Sequence, residues 1–252
     1  MAARYRVVLL PGAVLPAEPA YAALLHVLAD RVDAVAKDLE VYADDQPPPG
    51  FNLGMEAAGV LREADVHGFD RFHLVGYSGG GAAALALAAL PGERLLSLAL
   101  LEPAWAGNAR TPQEEKLMER FRALEALPPA EFMPEFTRLQ LAPGVEPPAA
   151  PEGPPPPWMA KRPAGIRALL HAFDADALNL EALETFAPPV YFALGGRSNQ
   201  DYYARMAQRL SAIFPDFTLE TFPERHHFDP PHRIEPERLA NSLLALWHRA
   251  EP

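Results

Sequence analysis

The chain has 252 residues, enough to bury the core of one α/β domain, and carries 22 basic against 33 acidic residues, a net charge of −11 with histidines neutral. That balance argues against nucleic acid and anionic membrane surfaces as partners. The absence of cysteine excludes disulfides, thiolate metal sites and a cysteine nucleophile.

Residues 5–10 read as a first strand, an apolar run stopped by Pro11-Gly12. Residues 19–28 have helical spacing, with Tyr21, Leu24, Leu25 and Leu28 on one face. A second strand is expected over 33–39, with Lys37 and Asp38 marking its exit from the core. A loop containing Pro47-Pro48-Pro49-Gly50 leads into a helix over 53–66. Residues 72–75 are a short apolar run and read as a buried strand. Gly76-Tyr77-Ser78-Gly79-Gly80 follows, then a helix over 82–90 closed by Pro91-Gly92.

Strand, tight turn with a serine at its tip, and helix form the context of a G-x-S-x-G nucleophile elbow. The turn lifts the hydroxyl clear of the sheet, and Gly76, Gly79 and Gly80 are expected where a Cβ would strike the neighbouring strand or helix. The helix N-terminus behind Ser78 favours developing negative charge. The plainer reading, a glycine-rich turn that packs tightly or cradles a phosphate, lacks both the phosphate-loop lysine and the dinucleotide glycine spacing.

A strongly apolar strand over 94–101 ends at Glu102-Pro103. The strand–helix alternation to this point implies a parallel sheet with right-handed crossovers. Residues 104–187 break that rhythm. Helices are expected over 111–127, where Thr111-Pro112 with Glu114 and Glu115 is a start signal, and over 129–141, 161–173 and 176–186, with a proline-rich stretch at 142–157. A strand at 189–194, the segment Arg197-Ser198-Asn199, a helix over 200–214 and a last strand at 217–222 follow. The loop 223–232 contains His226, His227, Asp229 and His232. A closing helix over 238–249 turns Leu239, Leu243, Leu244 and Trp247 to the core.

Nearly the whole chain resembles the α/β-hydrolase superfamily: the Gly76-Tyr77-Ser78-Gly79-Gly80 elbow carries the likeness, and the element order agrees with it. The resemblance implies a mostly parallel sheet of about six strands flanked by helices, the fold's first two antiparallel strands being absent. It makes the chain a single domain, 1–252, whose insertion at about 104–187 is a helical lid over the substrate pocket. It also implies that the backbone N–H groups of Ala13 and Gly79 form the oxyanion hole. Pro11-Gly12 stands where the superfamily usually carries His-Gly, and a backbone donor needs no particular side chain.

A serine hydroxyl needs a base within hydrogen-bond reach. The superfamily's Ser–acid–His order puts that base on the loop after the last strand. His227 followed by Phe228 fits the pattern better than His226, so His226 and His232 are read as solvated or turn-capping. The acid usually follows the penultimate strand, where Arg197-Ser198-Asn199 offers none and Asp201 is nearest. Glu102, at the end of the strand after the elbow, is a second placement known in the superfamily and is preferred. Asp229 is a third candidate, also read as a turn residue.

The expected activity is carboxylic-ester hydrolysis through an acyl-enzyme on Ser78, His227 and Glu102, with a small apolar molecule as substrate and neither cofactor nor metal. Carbon–carbon bond hydrolysis, lactone opening, perhydrolysis and a non-catalytic ligand-binding role stay open. Trp105, Phe132, Phe136, Trp158 and Met159 are candidates for the pocket wall, though core packing accounts for any one of them equally well. No apolar segment is long enough to span a bilayer and no signal-peptide pattern opens the chain, so a cytoplasmic protein is expected; a homodimer is compatible with the sequence.

Overall fold

The computed structural model describes residues 4–149 and 153–251. Six parallel strands form one sheet in the order β2-β1-β3-β4-β5-β6. They are β1 (Tyr5–Leu10), β2 (Val32–Ala36), β3 (Phe72–Tyr77), β4 (Leu95–Leu101), β5 (Val190–Gly195) and β6 (Phe217–Phe222). The central strands β3, β4 and β5 are buried almost throughout, because helices cover both faces of the sheet. The edge strands β2 and β6 are only partly buried.

The chain runs outward from β1 to β2, then returns to β3 on the other side of β1. Right-handed crossovers therefore put helices on opposite faces. α1 (Ala17–Leu28) and α10 (Pro236–Ala250) cover one face through Tyr21, Leu24, Leu239, Leu243 and Trp247. α2 (Leu53–Val66), α3 (Gly79–Ala88) and α8 (Tyr203–Ile213) cover the other. The reversal between β1 and β3 opens a crevice at the carboxyl ends of the strands, where open α/β sheets bind ligands.

Between β4 and β5 lie α4 (Pro112–Ala123), α5 (Pro129–Leu139), α6 (Arg162–Ala175) and the short α7 (Leu180–Glu184). α4 starts on a capping box in which Thr111 and Glu114 exchange side-chain-to-backbone hydrogen bonds. α6 ends where Asp176 turns outward to accept the Leu53 N–H at 2.8 Å, tying the insert to the start of α2. Of the proline-rich stretch at 142–157, residues 150–152 lie outside the described residues and 142–149 form no helix or strand.

Three boundaries differ from the sequence expectation. β2 stops at Ala36, because Lys37 and Asp38 leave the sheet and Asp38 accepts the Ala17 N–H at 2.7 Å. α3 begins at Gly79 rather than Ala82: its three glycines are poor helix formers, and packing against β1 and β4 overrides that preference. Residues 231–234 form a short helix, α9 (Pro231–Ile234), started by Pro230-Pro231.

Candidate active site

The turn after β3 sets Ser78 at φ 52°, ψ −116°, a conformation that costs a non-glycine residue about 1–3 kcal/mol and must be held by its surroundings. Its N–H donates to Leu101 O at 3.1 Å, and its carbonyl accepts from Ala82 N at 3.1 Å and Ala104 N at 2.8 Å. A Cβ on Gly76 would stand 2.5 Å from Gly80 O, and one on Gly80 2.5 Å from both Leu10 O and Pro11 O. These two glycines are sterically required. Gly79 is not: a Cβ there meets Leu39, Leu169 and Ala13 at ordinary distances of 3.4–3.6 Å. Gly81, unremarked in the sequence, is tight against Pro103 at 2.8 Å.

Among the described residues only one other non-glycine has positive φ, and it is Glu102 at 45°. Its backbone turns out of β4, its N–H donates to Ala193 O at 3.3 Å, and its Oε1 accepts the Gly195 N–H at 2.8 Å. Oε2 lies 3.0 Å from His227 Nδ1, and His227 Nε2 lies 3.0 Å from Ser78 Oγ. Ser78, Glu102 and His227 are all buried, the imidazole at 1 % exposure. A carboxylate only accepts, so Nδ1 carries the proton toward Glu102 and Nε2 is left to accept from the serine hydroxyl.

The other acids lie elsewhere. Asp201 is exposed and pairs with Arg205 one turn along α8 at 3.3 Å. Asp229 pairs with Arg225 at 2.6 Å. His226 caps its own turn, Nδ1 accepting from Phe228 N at 3.2 Å. It is buried rather than solvated, and that burial lowers its pKa.

His232 corrects the sequence reading, being neither solvated nor capping. It is 1 % exposed, sits between the rings of Tyr21 at 4.9 Å and Tyr77 at 4.8 Å, and neither ring nitrogen has a hydrogen-bond partner among the described residues. Burial, reinforced by Arg233 and His227, pushes its pKa down to about 3. His73, buried under Trp247, is pushed down to about 4, burial outweighing its contact with Glu251.

A histidine that protonates less readily folded than unfolded gives stability that is complete above its unfolded pKa of about 6.5 and is lost as the pH falls toward the folded value. Melting temperature is therefore expected to fall steadily from pH 6.5 toward 4, at up to about 1.4 kcal/mol per pH unit for each such group. The slope should be shallower in His232→Phe. Parallel curves for the two proteins would remove His232 as a source of the acid sensitivity.

The amides of Ala13 and Gly79 face the same space beside Ser78. Ala13 N lies 3.6 Å from the point a Gly79 Cβ would occupy, and neither N–H donates to another backbone group of the described residues. The Ala13 loop is held by Tyr42, whose hydroxyl donates to Ala13 O at 2.8 Å.

A cavity of about 420 Å³ opens at Ser78, Ala13 and Gly79 and runs under the insert, walled by Met118 and Phe121 of α4, Phe136 of α5 and the Ile166 face of α6. No charged side chain lines it. A smaller space of about 210 Å³ lies on the other side of Ser78, against His227 and Phe228. Of the five aromatic and methionine candidates for the wall, only Phe136 lines these spaces. Trp105 stacks on Phe173 and Phe132 on Phe136, while Trp158 and Met159 are half-buried in a 3₁₀ turn.

Two tyrosines that the sequence did not single out meet His227. The buried Tyr77 hydroxyl donates to the His227 carbonyl oxygen, fixing the loop on which the imidazole sits. The Tyr203 ring stacks on the imidazole, centroids 4.8 Å apart and planes 14° apart. The Tyr202-Tyr203 pair at the start of a helix is the only local signal, and nothing in its spacing points to His227.

Chemically, the array can move a proton from a serine hydroxyl to an imidazole oriented by a carboxylate, beside two free backbone donors. Among the described residues no group of three or more histidine, aspartate or glutamate side chains could hold a metal ion, and no helix is long and apolar enough to cross a membrane.

Solved structures share this architecture. A thermophilic esterase from Thermogutta terrifontis superposes with a TM-score of 0.71 at 17% identity, covering 98% of this chain and 91% of the other. A membrane phospholipase A described as a bacterial virulence factor gives 0.68 at 22% identity, covering 98% and 79%. At these identities the likeness is one of fold. Among curated proteins, the dihydrolipoyllysine-residue acetyltransferase component of the acetoin cleaving system of Cupriavidus necator is 38% identical over 86 residues, which is 34% of this chain and only 23% of that protein's length. The sequence model of the alpha/beta hydrolase family matches residues 7–241. With that match spanning all six strands, the chain belongs to the alpha/beta hydrolase family.

Proposed function

We propose that the protein hydrolyses carboxylic esters with an uncharged, apolar acyl group, through an acyl-enzyme on Ser78. The observation that carries this reading is the unbroken contact from Ser78 Oγ to His227 Nε2 to Glu102 Oε2, each 3.0 Å, at the mouth of an apolar cavity. His227 takes the serine proton as Oγ attacks the ester carbonyl, and the carbonyl π electrons move to oxygen. The Ala13 and Gly79 amides receive that oxyanion. The carbonyl re-forms as the alkoxide leaves, protonated from His227 Nε2. Water repeats the sequence to release the acid. Glu102 holds the imidazole's tautomer and faces its positive charge throughout.

Residues 104–187 act as the lid in this reading, since α4, α5 and α6 supply most of the cavity wall and so set which acyl groups fit. A panel of p-nitrophenyl esters of rising acyl length tests the proposal. Turnover should peak at a short or medium acyl chain, which an enclosed space of about 420 Å³ accommodates, and fall for long chains. A folded protein inactive on every member would contradict ester hydrolysis.

A further inference from the structure

Tyr203 does more than fill space beside His227. Its hydroxyl lies 3.0 Å from Gln140 Oε1 and 3.4 Å from His227 Nε2, while its ring lies flat against the imidazole. An amide oxygen can only accept, so the one hydroxyl proton of Tyr203 is committed to Gln140. Gln140 cannot turn away: it is 3 % exposed and its Nε2 donates to Phe136 O at 2.9 Å. What Tyr203 shows to His227 is therefore a lone pair and the negative face of a ring.

Toward neutral imidazole, whose Nε2 also carries a lone pair, that arrangement gives no hydrogen bond, and the 3.4 Å separation is a contact distance. Stacked rings also keep the tyrosine oxygen over the imidazole face, out of the path of a proton travelling between Ser78 Oγ, Nε2 and a leaving group. Toward imidazolium, the same oxygen and ring face become attractive. An interaction that appears only when the imidazole is charged lowers the barrier without tightening substrate binding.

We infer that Tyr203, with its hydroxyl turned by Gln140, is a further catalytic residue that stabilises the His227 imidazolium formed while the serine proton is in transit. Tyr203 neither gains nor loses a proton in this role. Burial raises its hydroxyl pKa well above the ordinary value, which keeps that proton in place. Because Gln140 closes α5, the dipole facing the base is set by the inserted segment. The inference rests on the serine-hydrolase reading above.

Tyr203→Phe keeps the ring and removes the oxygen. It is expected to lower kcat on the best p-nitrophenyl ester about three- to thirtyfold, the range of a desolvated cation–π-scale contact, with KM within about twofold. The rate at which a fluorophosphonate labels Ser78 should fall by a similar factor, since it reports the same proton transfer. Gln140→Leu frees the hydroxyl to turn its proton toward the imidazole, and kcat should fall comparably. Adding Gln140→Leu to Tyr203→Phe should then cost nothing further in kcat. The double variant also leaves no orphaned partner of the pair, so its fold is the safer one to measure.

Tyr203→Phe at wild-type kcat, an effect confined to KM, or additive losses in the double variant would each overturn the assignment. Ser78→Ala separates the two levels. If that variant stays active, the serine reading fails and this one falls with it. If it is inactive while Tyr203→Phe is unimpaired, only the role of Tyr203 is lost.

Discussion

Ser78→Ala is expected to lower kcat on the best p-nitrophenyl ester by about 10⁶, the scale seen when a serine nucleophile is removed from an otherwise intact site. What remains should resemble the weak acceleration given by binding and the free amides alone. The fold should survive, because the hydroxyl is engaged only with His227, and alanine removes one oxygen. Alanine at φ 52° bears the same backbone strain as serine, and the hydrogen bonds that hold the turn all come from the backbone. A loss of activity with an unchanged melting temperature therefore isolates the chemistry. Full activity in the variant would remove Ser78 from the mechanism.

The second large effect concerns the acid. Glu102→Gln keeps the shape of the side chain but replaces one carboxylate oxygen by an amide nitrogen. With Oε1 still accepting from Gly195 N, the NH₂ group is turned to His227 Nδ1. The imidazole then presents a lone pair at Nδ1 and its proton at Nε2, the wrong tautomer for a base. A fall of about 10⁴ in kcat is the consequence expected for a triad acid. Asp201→Asn, at the exposed first turn leading into α8, should leave kcat within about twofold of wild type. The reverse pattern would transfer the role to Asp201 and require a rearrangement of the loop after β5.

The contrast between these two acids shows what a sequence can carry. Apolar runs specify β3, β4 and β5 because strands buried on both faces need continuous hydrophobicity, and all six strands lie close to their expected positions. The serine turn is legible because its chemistry is local: Gly76 and Gly80 sit within two residues of Ser78 and meet backbone at 2.5 Å. Glu102 is harder to read. Its preference over Asp201 rests on an apolar strand ending in a charge, and its positive φ and its bond to Gly195 N appear only once β4 and β5 are side by side.

Contacts between distant segments are not legible at all. Tyr203 reaches His227 across 24 residues and Gln140 across 63, and no periodicity encodes either meeting. The pocket wall shows the same limit: Trp105 and Trp158 have wall-like chemistry, yet α4, α5 and α6 turn Met118, Phe136 and Ile166 inward instead. His232 looks like an ordinary loop histidine until Tyr21 of α1 and Tyr77 of β3 close over it.

Covalent capture tests the central claim most directly, since it needs neither a known substrate nor a complete turnover. Wild-type protein treated with a fluorophosphonate and digested should carry a single adduct, located by mass spectrometry on Ser78, and His227→Ala should label at least about a hundredfold more slowly, the contribution typical of a general base. Absence of an adduct on the folded wild-type protein, or equal labelling of the two proteins, would contradict a serine activated by His227.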